Sequence, residues 1–127
     1  MYAFRDEGDL PAETALKLAC GLGAGMGRRQ EVCGAVTGGI LVIGARYGSD
    51  GNGDRAAMET TYAKTNTLMD RFAKQHGSVI CRQLLQGCNL TIADGQRHFM
   101  ENDYMNRICV PCVRSVATIL EDLIRQG

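Results

Sequence analysis

Cys109-Val110-Pro111-Cys112 is the one pair of cysteines close enough in sequence to act as a local dithiol. Two thiols so spaced can cycle to a disulfide or bind a soft metal ion. Pro111 cannot sit deep in a helix, so the spacing predicts a regular helix beginning close to it. One or both sulfurs would then lie near free backbone N–H groups, at the dipole end that favours a thiolate. Val113 stands where c-type haem attachment needs histidine, and no strand precedes the pair as thioredoxin requires.

Cys33 lies in Glu31-Val32-Cys33-Gly34-Ala35-Val36-Thr37-Gly38-Gly39, where Gly34 and Gly38 leave the thiol's surroundings open. Small residues four apart on a helix let a second backbone or a bound group approach, which makes Gly34 and Gly38 candidate cofactor contacts. Cys81 and Cys88 are seven apart, but Gly87 interrupts the helix that would align them. Cys20 ends the apolar run Ala15, Leu16, Ala19 and is expected in the core. The expected order of alkylation is therefore Cys109 or Cys112 first, Cys33 next and Cys20 last.

His76 and His98 are isolated, and His76 at a helix C-terminus is more simply a dipole partner than a ligand. The glycines from 21 to 27 do not form a dinucleotide fingerprint, because Met26 or Arg28 occupies the third required position. No Ser/His/Asp arrangement or paired-carboxylate motif is present.

The elements that carry these thiols read as helices. Leu10-Pro11-Ala12-Glu13 opens the first, which the glycines from 21 to 27 break. The apolar segment from Glu31 to Tyr47 has no convincing partner strand and is expected to be helical, with interior glycines offset by close packing. Gly48-Ser-Asp-Gly-Asn-Gly ends it as a loop. Asp54 to His76 carries the stripe Met58, Tyr62, Thr65, Met69, Phe72 and His76, capped by Asp54 and closed by Gly77. Ser78 is expected to cap a short helix through Cys81 and Leu85, and Asn89 to Asp103 is weakly patterned. The last helix carries Val113, Val116, Ala117, Leu120, Leu123 and Ile124. The expected fold is all-α, a compact bundle of about five helices in one domain over residues 1–127, with a glycine-rich segment between the first two.

A chain of 127 residues, 45% of them hydrophobic, can bury a core without staples. Fourteen basic residues balance fourteen acidic ones, and Arg28-Arg29 is the densest basic cluster, so nucleic acid is not an expected partner. The start is charged within a few residues, unlike a signal peptide, and Val32 to Ala45 is shorter than the roughly 20 apolar residues a membrane span needs. A cytoplasmic protein is expected. In a reducing compartment six cysteines point to thiol chemistry or metal binding before structural disulfides.

These residues resemble the redox-active proteins with a CGAxxG motif and dispersed cysteines, the C-GCAxxG-C-C family. Cys33-Gly34-Ala35-Val36-Thr37-Gly38 is the match to the motif, with the glycines from 21 to 27 before it and Ile43-Gly44-Ala45-Arg46-Tyr47-Gly48 after. Phe72, Gly77-Ser78 and Cys81-Arg82-Gln83-Leu84-Leu85 look like the second cysteine block, and Cys109 with Val113 and Ile119-Leu120-Glu121 like the last. The resemblance implies a helical domain whose Cys33, Cys81 and Cys109 serve redox chemistry or ligate a metal. It also implies a redox partner protein or a transporter-associated system. The family pattern has a leading cysteine on a helix ahead of the glycine-rich block, and Cys20 is not its positional equivalent. Either the reading frame begins further upstream, or Cys112 works in that cysteine's place.

The function expected is cysteine-based redox chemistry, by thiol–disulfide exchange or electron transfer, on Cys33, Cys81, Cys109 and Cys112. One alternative is a module holding a thiolate-bound metal or iron–sulfur cluster without catalysis. The other is a structural or partner-binding helical protein with inert cysteines, for which a homodimer is the expected assembly. Under the first two readings the thiols of Cys33, Cys81 and Cys109 must approach one another.

Overall fold

The computed structural model describes all 127 residues and contains helices but no named strand. Seven helices are formed: α1 (Ala12–Ala19), α2 (Gly23–Met26), α3 (Gly34–Tyr47), α4 (Arg55–His76), α5 (Cys81–Leu84), α6 (Ala93–Glu101) and α7 (Val110–Arg125). The all-α class is as expected, and the count of about five is too low. The additions are the single turn α2, and α6, which lies in the weakly patterned stretch and buries only Gly95. None of these helices is long and apolar enough to cross a membrane.

The main core lies between α3, α4 and α7, where Val36, Val42, Ile43, Leu68, Phe72, Cys112, Val116, Ile119, Leu120 and Leu123 are buried together. The α7 stripe is displaced from the expected one, with Ile119 inside and Val113 57% exposed. On α4 only Leu68 and Phe72 are fully buried, and Tyr62 near its start is 58% exposed. Asp54 caps α4 by accepting from the Ala57 N–H at 3.0 Å, and Gly77 ends it at φ 86°, both as expected. Ser78 does not cap α5. Its hydroxyl accepts from the Ile80 N–H at 2.9 Å instead, closing the turn that precedes that helix.

Close helix packing passes through Gly39. A Cβ built there would stand 2.8 Å from Val116 Cγ1 and 2.9 Å from Leu68 Cδ2, so α4 and α7 reach α3 only because the side chain is absent. At Gly38 the nearest neighbour of an added Cβ, the Met1 nitrogen, is 3.8 Å away. A Cβ on Gly34 would meet the Leu22 carbonyl oxygen at 2.7 Å, as the first turn of α3 rests on the chain before it.

The glycine-rich segment folds as a left-handed turn. Ala24, Gly25, Met26, Gly27 and Arg28 all take φ between 52° and 68°. A left-handed backbone costs roughly 1–2 kcal/mol per non-glycine residue, so the surroundings must hold it in place. Gly25 explains how they do so. It is buried, and a Cβ there would lie 2.6 Å from Gln30 Cα and 2.8 Å from Cys81 Cβ.

Gly39→Ala is expected to lower stability by about 1–3 kcal/mol through overpacking, despite its better helix propensity. Gly38→Ala should be neutral or stabilising by up to about 1 kcal/mol. Thermal melts of both variants check this, and the opposite ranking would contradict the packing described.

Candidate functional site

Residues 31 to 33 lead into α3, and Val79 and Ile80 lead into α5. The two stretches meet in a single antiparallel bridge between Val32 and Ile80. The Cys33 N–H donates to the Val79 carbonyl at 2.8 Å, and the Cys81 N–H to the Glu31 carbonyl at 2.7 Å. Side chains alternate along extended chain, so Cys33 and Cys81 project from the same face of the bridge, opposite to Val32 and Ile80. Each cysteine also begins a helix, Cys33 as the N-cap of α3 and Cys81 as the first residue of α5.

Gln30 fastens this arrangement to the next loop. Its side chain is 1% exposed, donates to the Cys88 carbonyl at 2.6 Å and accepts from the Leu90 N–H at 2.9 Å. Its backbone carbonyl accepts from the Arg82 N–H at 3.1 Å. Both ends of this buried amide are satisfied, so it positions the loop without an orphaned polar atom.

The other two thiols come from α7 and the π-helical turn before it, Met105–Cys109. In α-helical geometry the Pro111 ring would press on the Arg107 carbonyl, and the wider turn relieves that clash. The Val110 N–H accordingly bonds to the Met105 carbonyl, five residues back. Cys109 and Val110 both keep right-handed helical dihedrals, so the helix is continuous through the cysteine pair. The regular helix α7 does begin at Val110, beside Pro111 as expected, but the π-helical turn runs straight into it. Cys109 and Cys112 are not at a free helix N-terminus, and no unpaired N–H groups favour their thiolates. Three residues apart on a helix, they share a face.

Cys112 is 1% exposed and belongs to the main core, against which Cys33 packs. Cys81 is buried in a smaller core with Leu85, Leu90 and Tyr104, against which Cys109 and Cys88 pack. Ile108 touches both cores, so the four thiols occupy the seam between them. Cys33, Cys81, Cys109 and Cys112 are thus brought together, each close enough to alter the ionisation of others.

Their environments differ in sign. The Cys33 thiol is lowered to about 6, first because Cys112 donates to its sulfur, and next because the Ala35 and Val36 N–H groups at the head of α3 favour the anion against burial. Cys112 moves upward in the same exchange, since its proton serves Cys33 and it is buried beside the anion. Burial, then the Cys33 charge, raises Cys109, while burial with the charges of Cys33 and Cys109 raises Cys81 to about 11. The most acidic of these thiols is therefore Cys33, at the helix N-terminus setting that the sequence suggested for the Cys109–Cys112 pair.

Two further thiols stand apart. Cys20 is exposed, contrary to its expected place in the core, because α1 buries only Ala15 and leaves Leu16 and Leu18 more than half exposed. Cys88 is half-buried near Cys81, with its S–H donating to the Gly95 carbonyl at 3.1 Å. All six cysteines are free thiols. No three His, Cys, Asp or Glu side chains, Cys33, Cys81 and Cys109 included, are grouped as a metal ion requires. Gly34 and Gly38, the candidate cofactor contacts, line an apolar cleft of about 290 Å³ with Phe4, Leu22, Val113 and Leu120. His76 donates to or accepts from Ser115 at 2.8 Å and stacks on Phe72, away from any cluster.

An all-helical fold with four thiols at one seam, one of them held as a thiolate, defines a cysteine-centred protein. Over residues 1–123 the chain matches, and belongs to, the family described as "Putative redox-active protein (C_GCAxxG_C_C)". No curated protein and no solved structure matches it.

Alkylation of the reduced protein at neutral pH is expected to label Cys33 and exposed Cys20 first and Cys112 last. The Cys33 rate should rise with pH to a half-maximum near 6, because only the thiolate attacks. Peptide mapping after short labelling at a series of pH values checks both points. A Cys33 profile centred in the ordinary range of about 8.5 would contradict the assignment.

Proposed function

We propose that this protein is a dithiol–disulfide redox protein in which Cys33 is the nucleophile and Cys112 the resolving thiol. The observation that carries the reading is that half-buried Cys33, at the head of α3, packs against the core that holds Cys112, each altering the other's ionisation. Membership of a redox-active family supports it.

The Cys33 thiolate attacks one sulfur of a partner's disulfide. That S–S bond breaks, a Cys33–partner mixed disulfide forms, and the partner's second sulfur leaves as a thiolate. Cys33 is now neutral, and the charge that held Cys112 in its protonated form is gone. Cys112 then loses its proton and attacks the Cys33 sulfur, closing the Cys33–Cys112 bond and releasing the partner's first sulfur. Two electrons pass to the partner, whose two thiolates are protonated by the Cys112 proton and by solvent. Because Cys112 ionises readily only after Cys33 has reacted, the coupling itself sets the order of attack.

Half-burial of Cys33 fits a partner that brings its disulfide to the α3 terminus, with Cys112 screened from competing reagents in the core. Exchange between thiols and disulfides needs no metal, and Cys33, Cys81, Cys109 and Cys112 supply every sulfur it uses.

Cys112→Ser keeps a hydroxyl donor beside Cys33 but cannot close the internal bond. Mixed with a small disulfide, it should accumulate a mixed disulfide on Cys33, whereas the native protein should yield a Cys33–Cys112 bond. Non-reducing peptide maps decide this. A Cys109–Cys112 bond as the first product, or Cys33 left unmodified, would overturn the assignment.

A further inference from the structure

We infer that Cys81 and Cys109 form a second dithiol that re-reduces the Cys33–Cys112 disulfide internally, so that the protein stores a second electron pair. This rests on the function proposed above and adds to it a route for the electrons.

The placement of the four sulfurs carries the inference. Cys81 shares the bridge face of Cys33, and Cys109 shares the helix face of Cys112. Each member of the Cys33–Cys112 pair is thus flanked by one member of the Cys81–Cys109 pair, and each pair joins one half-buried thiol to one buried thiol. Cys81 and Cys109 pack in one small core with Leu85 and Tyr104, joined to the Cys112 core through Ile108. Cys81 is 7% exposed, so a large partner reaches it poorly and its exchange must be internal.

The transfer balances as two exchanges. Cys109, once deprotonated, attacks the Cys112 sulfur across one helical turn, and Cys33 leaves as a thiolate. Deprotonated Cys81 then attacks the Cys109 sulfur of the resulting Cys109–Cys112 bond, and Cys112 leaves and takes up a proton. The products are a Cys81–Cys109 disulfide, the Cys33 thiolate, the Cys112 thiol and one proton to solvent. Two electrons have moved from the Cys81–Cys109 pair to the Cys33–Cys112 pair.

Direction follows from which reduced state the fold stabilises. The Cys33–Cys112 pair gains from a thiolate held at a helix N-terminus, and a stabilised reduced form makes a couple more oxidising. The Cys81–Cys109 pair has no such thiolate, since burial pushes both members upward. Electrons therefore run from Cys81 and Cys109 to Cys33 and Cys112. The helical turn carrying Cys109 and Cys112 is the arm across which they pass. Cys33 is also the better leaving group for the first exchange.

The test is a time course on the full reduced chain given one equivalent of a small disulfide, with acid quenching and non-reducing peptide mapping. A Cys33–Cys112 bond should appear first and decay into a Cys81–Cys109 bond, and a second equivalent should leave both bonds present. In Cys81→Ser, and independently in Cys109→Ser, the bond should remain on Cys33–Cys112 and the second equivalent should add no internal disulfide. A native Cys33–Cys112 bond that persists, or a Cys81–Cys88 bond in place of Cys81–Cys109, would overturn the relay and leave the proposed function standing. No Cys33–Cys112 bond at any time, in the native chain or either variant, would overturn both.

Discussion

The proton shared by Cys33 and Cys112 sets the chemical character of this molecule. Four thiols at one seam would ordinarily hinder one another, because each buried anion raises the cost of the next. Here one sulfur receives an S–H from its neighbour and two N–H groups from the head of α3, and it takes the charge. Burial first, and then that charge, hold Cys81 and Cys109 neutral, while Cys112 is held so chiefly by Cys33. A cluster of equivalent cysteines is thereby converted into one nucleophile with ranked reserves.

Holding that proton in place requires two distant parts of the chain to meet, and much of the architecture serves this end. The Val32–Ile80 bridge aligns the starts of α3 and α5 with only a few backbone hydrogen bonds. So short a pairing would be unstable alone. The left-handed turn from Ala24 to Arg28 covers it, with Gly25 against Gln30 and Cys81, while the buried Gln30 amide ties it to the Cys88–Leu90 loop. Packing of α3 on α7 through Gly39 brings Cys112 to Cys33 from the other side. Strain in the glycine-rich turn is thus offset by the contacts that fix the thiols.

Helical periodicity and capping residues made α3, α4 and α7 legible in the sequence, and the CGAxxG resemblance singled out Cys33, Cys81 and Cys109. What escaped was orientation. The α3 segment is apolar on nearly every side, so its pattern could not say which face meets α4 and α7, and Gly38 was favoured over Gly39. Pro111 signals a helix start in most contexts, but a π-helical turn lets the helix run through it, and nothing in Met105 to Cys109 announces that turn. Cys20 completes an apolar pattern that α1 turns largely to solvent, so periodicity misplaced it. The Cys33–Cys112 pairing joins α3 to α7 and depends on three-dimensional packing that local patterns do not encode.

Thiolate titration by ultraviolet absorbance, compared between the native protein, Cys33→Ser and Cys112→Ala, tests the central claim most directly. The native protein should show one thiolate forming near pH 6, absent in Cys33→Ser. In Cys112→Ala, which removes the donor, that step should move upward, lowering the Cys33 thiolate population at pH 7 by about tenfold. A native titration with no step below the ordinary thiol range, or a step unaffected by loss of Cys112, would contradict the shared proton.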